Sequence, residues 1–203
     1  MALVTAKKLK QERELLFLRY YSKFNAEFDV TGSSHNGCGI SGSYYPNGRA
    51  TPGIPANGRN KFHVGFENSR EREFPEVGNA GRYGLYIYHP EQRHRWGDKF
   101  FPTGMVLPNS SKKNDFGPNF VSRPDIVRKL NRWYCHEIMV KLNKPGSRDG
   151  RIACWLDGKL IADFSNLRLR DINHSTSAFT SVGIRRRGST TTTSSQRLPT
   201  SAR

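Results

Sequence analysis

Acidic residues, cysteines and long apolar runs are all scarce in this chain. Asp and Glu number 17 against 33 Lys and Arg, a formal net charge of +16 over 203 residues. That excess points to a polyanionic partner without naming it, because nucleic acid, an acidic polysaccharide and an anionic membrane surface all satisfy it. The three cysteines, Cys38, Cys135 and Cys154, are odd in number and form no C-x-x-C pair. A disulfide framework or a zinc ribbon is therefore not expected, although one bridge stays open. No stretch approaches the roughly 18–20 continuous apolar residues of a membrane helix, so no bilayer span is expected. The opening MALVTAKKLKQERE lacks the apolar core of a secretory signal, so the chain as written reads as cytoplasmic.

What the chain does have is aromatic residues, with 12 Phe, 8 Tyr and 3 Trp. They suffice for one sizeable core and argue against a wholly disordered chain. With 19 Gly and 11 Pro scattered among short apolar runs, an all-β domain is favoured over a helical bundle. ELLFLRYYSKF from Glu14 reads as a strand, with Leu16, Leu18 and Tyr20 on one face and Phe17, Arg19 and Tyr21 on the other. A Gly/Asn/Pro-rich stretch from about Thr31 to Asn60 is too long for a hairpin and is either functional or disordered. Within it CGISGSYY fits a short strand. KFHVGFE (Lys61–Glu67) alternates Phe62, Val64 and Phe66 against Lys61, His63 and Glu67, and RYGLYIY (Arg82–Tyr88) sets Gly84, Tyr86 and Tyr88 against Tyr83, Leu85 and Ile87. Prolines at 102, 108, 118 and 124 make the segment from Pro90 to Asn131 loop-rich.

A three-strand meander gives the clearest local signal. RWYCHEIMVKL (Arg132–Leu142), RIACWL (Arg151–Leu156) and KLIADF (Lys159–Phe164) are joined by KPGSRDG and by Asp157-Gly158, a strong hairpin pair. Together these features predict a two-sheet antiparallel sandwich over residues 14–172, after a polar N-terminal segment of residues 1–13. Residues 173–203 read as an irregular basic tail. From Ile172 onward there is no acidic residue, and five arginines carry part of the charge. A second reading of this tail follows from the genetic code, in which a shift of one base turns Thr runs (ACN) into Tyr, His, Asn or Asp and Ser runs (TCN) into Phe, Leu, Ile or Val. A frame slip near Ile172–His174 would make the tail a scrambled version of two closing strands. Reading the codons tests this.

The run RWYCHEIMVKLNKPGSRDGRIACWLDGKLIADF resembles the jelly-roll polysaccharide lyases of the alginate-lyase and glucuronan-lyase group. These carry W-x-x-x-E-x-x-V-K-x-N-x-P-G-x-x-D-G-x-x-x-x-W-x-D-G-K-L, and LRYYSKF and LYIYHPEQ match their pattern upstream. The shifted tail permits N-Y-D-D-V-V-A-A-T-S-Y-V-G-P, similar to their closing strand. The resemblance covers roughly Leu15 to Asp171. It implies an all-β, concanavalin A-like jelly roll and a monomer that cleaves an acidic uronate polysaccharide by β-elimination. No metal or organic cofactor is implied, nor is nucleic acid, for which no binding motif is present. It also implies a secreted or periplasmic setting. A non-catalytic carbohydrate-binding sandwich, or an inactive lyase fragment, is the alternative.

β-Elimination needs a base for the C5 proton, an acid for the departing O4 and a donor or cation on the uronate carboxylate. Tyr86 and Tyr88 lie at i and i+2, sharing a strand face about 7 Å apart, and the resemblance assigns them the family's catalytic Tyr-x-Tyr pair. Ordinary sheet-face aromatics are the plain alternative. Lys61 and His63 share the polar face of the neighbouring strand, where the family often has a Ser/Arg-type pair; a solvated sheet face is the alternative. His35, Arg59 and Arg82 are candidate substrate-binding residues, against a plain loop histidine and solvated arginines. Trp133, Trp155 and Ile138 are expected to pack in the core or on a sheet. Cys135 and Cys154 are expected as small buried thiols in adjacent strands, with His136 directed away from Cys135.

Overall fold

The computed structural model describes residues 2–28, 32–34, 36–43, 53–70, 80–92, 95–101, 126–173 and 176–184. Within them the chain forms strands and no helix, arranged as two antiparallel sheets. The larger sheet runs β1 (Ala2–Arg13), β11 (Thr176–Ile184), β4 (Cys38–Ser43), β5 (Lys61–Arg70), β6 (Arg82–Tyr88) and β7 (Asp98–Phe101), with β3 (Gly32–Ser34) also paired to β5. The smaller sheet runs β10 (Lys159–Leu167), β9 (Gly150–Leu156), β8 (Tyr134–Lys141) and β2 (Leu15–Ser22).

Strict alternation builds each layer. Leu16, Leu18 and Tyr20 of β2 are buried while Leu15, Phe17 and Tyr21 stay exposed, as a period of two requires when one face is covered. Ile40, Phe62, Val64, Phe66, Tyr83, Leu85 and Ile87 from the larger sheet meet Ile138, Val140, Ile152, Cys154, Ala162 and Phe164 from the smaller one. The expected two-sheet sandwich is therefore the observed architecture. In the meander, β9 turns into β10 through Asp157 and Gly158, both at positive φ (52° and 78°), the backbone of a tight primed hairpin turn. Glycine adopts such angles freely and a short acidic residue tolerates them.

One buried side chain ties the other end of the meander together. Asn143 accepts the N–H groups of Leu169 and Arg170 and donates to the carbonyls of Lys144, Ser147 and Arg170. The turn after β8 is thereby fastened to the chain that leaves β10.

Several segments differ from the sequence expectation. Ala2–Arg13, expected as a polar segment ahead of the sandwich, forms β1. Thr176–Ile184, within the stretch expected to be irregular, forms β11 between β1 and β4. Its Thr, Phe, Val and Ile content suits a strand once two neighbours supply the ladder. Residues 185–203 lie outside the described residues. β7 sits in a segment read as loop, being only four residues long. Trp133 is 49% exposed instead of packed in the core, because it precedes β8 and its ring lies beside Lys23. Ile138 is in the core as expected. The three cysteines are free thiols; Cys154 in β9 is buried as expected, whereas Cys135 in the adjacent β8 is only half-buried, because it alternates with the core-facing residues of that strand.

Candidate active site

The outward face of β5 and β6 brings four of the sequence candidates together. His63 pairs directly with Tyr88, and Gly65 with Tyr86. Directly paired residues put their side chains on the same face about 5 Å apart, so the alternation of each strand plus this register sets Lys61, His63, Tyr86 and Tyr88 side by side. On the far side of β5, Ser41 of β4 pairs with His63 and Gly39 with Gly65. On the far side of β6, Lys99 of β7 pairs with Tyr86.

Glycines floor this patch. A Cβ on Gly65 would lie 2.6 Å from His63 Nε2, and one on Gly39 would lie 2.9 Å from His63 Cε1. The imidazole therefore lies over a part of the sheet that carries no side chains, beside Tyr86 and Tyr88. Any other residue at either position would push it away.

Lys61 is 1% exposed, so the expectation of a solvated sheet face does not hold for it. Its Nζ sits 4.0 Å from the centroid of the Tyr88 ring, a close cation–π contact. Burial pulls its pKa down from the ordinary lysine value to about 8, because a desolvated ammonium is penalised relative to the neutral amine. Tyr88 is itself only 8% exposed.

The two tyrosines are linked. Tyr86 donates its hydroxyl proton to Tyr88 Oη at 3.2 Å and accepts the Gly97 N–H at 2.9 Å. Burial, then the bond to Tyr88, holds the Tyr86 hydroxyl above the ordinary tyrosine range. Glu67, buried on the same face, adds to that shift through its charge.

The remaining candidates stand apart from this cluster. Arg82 shares the β6 face but pairs with Ser69 at the other end of the strand, roughly 13 Å from Tyr86 by strand rise. Arg59 lies in the turn before β5, where the backbone of Asp171 donates to Gly58 O at 2.8 Å. There the hydrogen-bonded Arg168 guanidinium, with a smaller contribution from the Arg59 charge, holds the Asp171 carboxyl below its usual value. His35 lies outside the described residues. Glu67, Ser41, Lys99 and Gly97 join the cluster in the folded chain. Alternation along KFHVGFE places Glu67 on the face of Lys61, but only the strand pairing brings in the other three.

Among the described residues, no group of three or more His, Cys, Asp and Glu side chains is placed to hold a metal ion. The polar groups gathered here suit proton transfer and the binding of an anion.

No family model and no curated protein matches this sequence. Solved structures do match by fold, and the class they define is the jelly-roll sandwich of polysaccharide lyases. A variant of the alginate lyase Aly36B, in complex with alginate tetrasaccharide, aligns with a TM-score of 0.64 at 20% identity, covering 90% of this chain and 64% of that one. The alginate lyase vAL-1 from Chlorella virus aligns at 0.56 with 16% identity, covering 85% and 62%. The endo-β-1,4-glucuronan lyase of the fungus Trichoderma reesei aligns at 0.52 with 13% identity, covering 90% and 62%. The chain spans just under two thirds of the length of these proteins. What it shares with them at such identities is the fold.

Proposed function

We propose that this chain is a lyase that cleaves a uronate polysaccharide by β-elimination. The observation that carries the reading is the juxtaposition of Tyr88, its register partner His63, and the Lys61 ammonium against the face of the Tyr88 ring. In the reaction the C5–H bond breaks, its electrons form the C4=C5 double bond, and the C4–O4 bond breaks. Tyr88, as the phenolate, takes the C5 proton and passes it to the departing O4, so the residue is unchanged after turnover. Lys61 is too buried to meet the polymer. Its cation acts on Tyr88, stabilising the negative phenolate inside a sheltered site where charge–charge attraction is strong. His63 donates to the uronate carboxylate, on which charge grows as C5 loses its proton.

The net charge of +16 suits a polyanionic substrate. The polymer class is alginate, glucuronan or a related uronate, met in a secreted or periplasmic setting. A sugar-binding sandwich without catalysis is the second reading. It is favoured by Lys61 and His63 standing where the resemblance expects a Ser/Arg-type pair.

The test is ultraviolet absorbance of unsaturated uronate when the folded protein meets alginate, glucuronan, hyaluronan and pectate in turn. A rise with one polymer is expected, lost by a factor of about 10²–10⁴ in Tyr88→Phe. No rise with any polymer, together with retained polymer binding, would leave the binding module in place of the enzyme.

A further inference from the structure

The Tyr86 hydroxyl is engaged on both sides. It receives the Gly97 N–H and gives its single proton to Tyr88 Oη. A phenol has one proton to donate, so in this arrangement Tyr86 has none for a sugar. The two rings meet edge to face, with centroids 5.4 Å apart and planes at 86°, which leaves the oxygens as the polar link between them. Burial keeps Tyr86 protonated over any ordinary working pH, so it remains a donor whenever Tyr88 becomes an acceptor.

The group behind Tyr86 is fixed by the backbone. Gly97 immediately precedes β7, and a Cβ there would lie 2.5 Å from the Ile87 carbonyl oxygen and 3.1 Å from Tyr86 Cζ. Only glycine lets this N–H approach the phenol. Strand pairing directly after Gly97 holds the approach in place, since Ile87 pairs with Asp98 and Tyr86 with Lys99.

We propose that Tyr86 is a positioning residue for the elimination: a relay from Gly97 N–H through the Tyr86 hydroxyl sets the Tyr88 oxygen and stabilises the negative charge that oxygen carries. The inference rests on the lyase reading of Tyr88 and takes Tyr86 out of direct contact with substrate. A hydrogen bond strengthens when its acceptor gains charge and when its donor is itself polarised from behind. A backbone amide at the head of the relay needs no reorganisation as the charge arrives. The sheet thus supplies to Tyr88 on one side what Lys61 supplies from the ring face.

Tyr86→Phe keeps the ring and removes the relay proton. In the active protein it lowers kcat roughly 10- to 100-fold, the effect of one hydrogen bond to a charged acceptor, and leaves KM for the polymer unchanged. Gly97→Ala shows the same split, and the double variant is no worse than either single one, because all three break the same relay. Wild-type kcat in Tyr86→Phe, or a loss confined to KM, overturns the proposal. A second measurement is independent of turnover and covers a Gly97→Ala protein that does not fold. In protein labelled with [ζ-¹³C]tyrosine, the Tyr88 signal, assigned by its loss in Tyr88→Phe, shifts on Tyr86→Phe. An unmoved signal shows that no relay reaches Tyr88. Wild-type protein that forms no unsaturated uronate sinks the lyase reading and the catalytic role with it, and the same signal then decides whether the relay exists.

Discussion

Lys61 and Tyr88 form the pair on which the proposed chemistry turns, and the pH response of Lys61 exposes its role. Burial brings its pKa to about 8, so its positive charge is complete well below that pH and is lost on passing through it. If the cation stabilises a Tyr88 phenolate, the advantage of the wild type over Lys61→Met shrinks as pH rises through about 8. If neutral Lys61 were itself the base, that advantage would grow over the same interval. We expect the ratio of kcat between wild type and Lys61→Met to start near about 10² at pH 6 and to fall by pH 9.5. Alternation in LYIYHP and KFHVGFE made these polar faces legible from the residues alone. It could not show that Lys61 is buried, because burial of a lysine depends on what covers the strand and not on its spacing. Nor did it separate Tyr86 from Tyr88, which carry the same chemistry and differ only in their hydrogen-bond partners.

At the level of elements, the site depends on the register of β5 with β6, since a slip of one residue would turn the polar pair of the slipping strand, Lys61 and His63 or Tyr86 and Tyr88, into the core. Phe62, Val64 and Phe66 opposite Leu85 and Ile87 oppose that slip, and this apolar alternation is why both strands were readable in the sequence. The four-residue β7 was not, because it offers too few positions for a pattern and owes its place to pairing with β6. The β8–β9–β10 meander was readable through Asp157-Gly158, but the clamp that fastens its other end was not. Asn143 makes five hydrogen bonds to four different residues across that junction. Asn143→Ala would strand buried backbone N–H and C=O groups at once. We expect a loss of about 2–4 kcal/mol in urea unfolding, with Asn143→Asp recovering only the two bonds that its Oδ1 accepts. A change below about 0.5 kcal/mol would show that water replaces the side chain.

For the whole molecule, the two sheets are joined by apolar packing and by a polar knot that crosses between them. Arg128, 2% exposed, donates to Asn68 Oδ1 of β5, to Ser22 Oγ of β2 and to His136 Nε2 of β8. His136 in turn meets the Tyr83 hydroxyl of β6 through Nδ1 at 2.7 Å and stacks on Tyr20 at 4.5 Å. An arginine can only donate, so Nε2 is an acceptor and the imidazole proton sits on Nδ1, directed at Tyr83. The ring must then be neutral, and burial followed by the neighbouring guanidinium holds its pKa well below the usual 6.5. The sign of the consequence is fixed by linkage. Above about pH 6.5 neither the folded nor the unfolded state protonates this histidine, and the stability of the knot is fully present. Below it the unfolded chain takes up a proton that the folded chain refuses, so stability falls by up to about 1.4 kcal/mol per pH unit until the folded pKa is reached. His136→Gln removes the titration while keeping an acceptor near Arg128 and a donor near Tyr83. Urea unfolding from pH 7.5 to 5 should therefore show a steeper loss in the wild type than in this variant, whatever the other histidines contribute to both. Parallel slopes would mean that His136 takes up its proton in the folded state, and that the knot opens locally between the sheets before the sandwich unfolds.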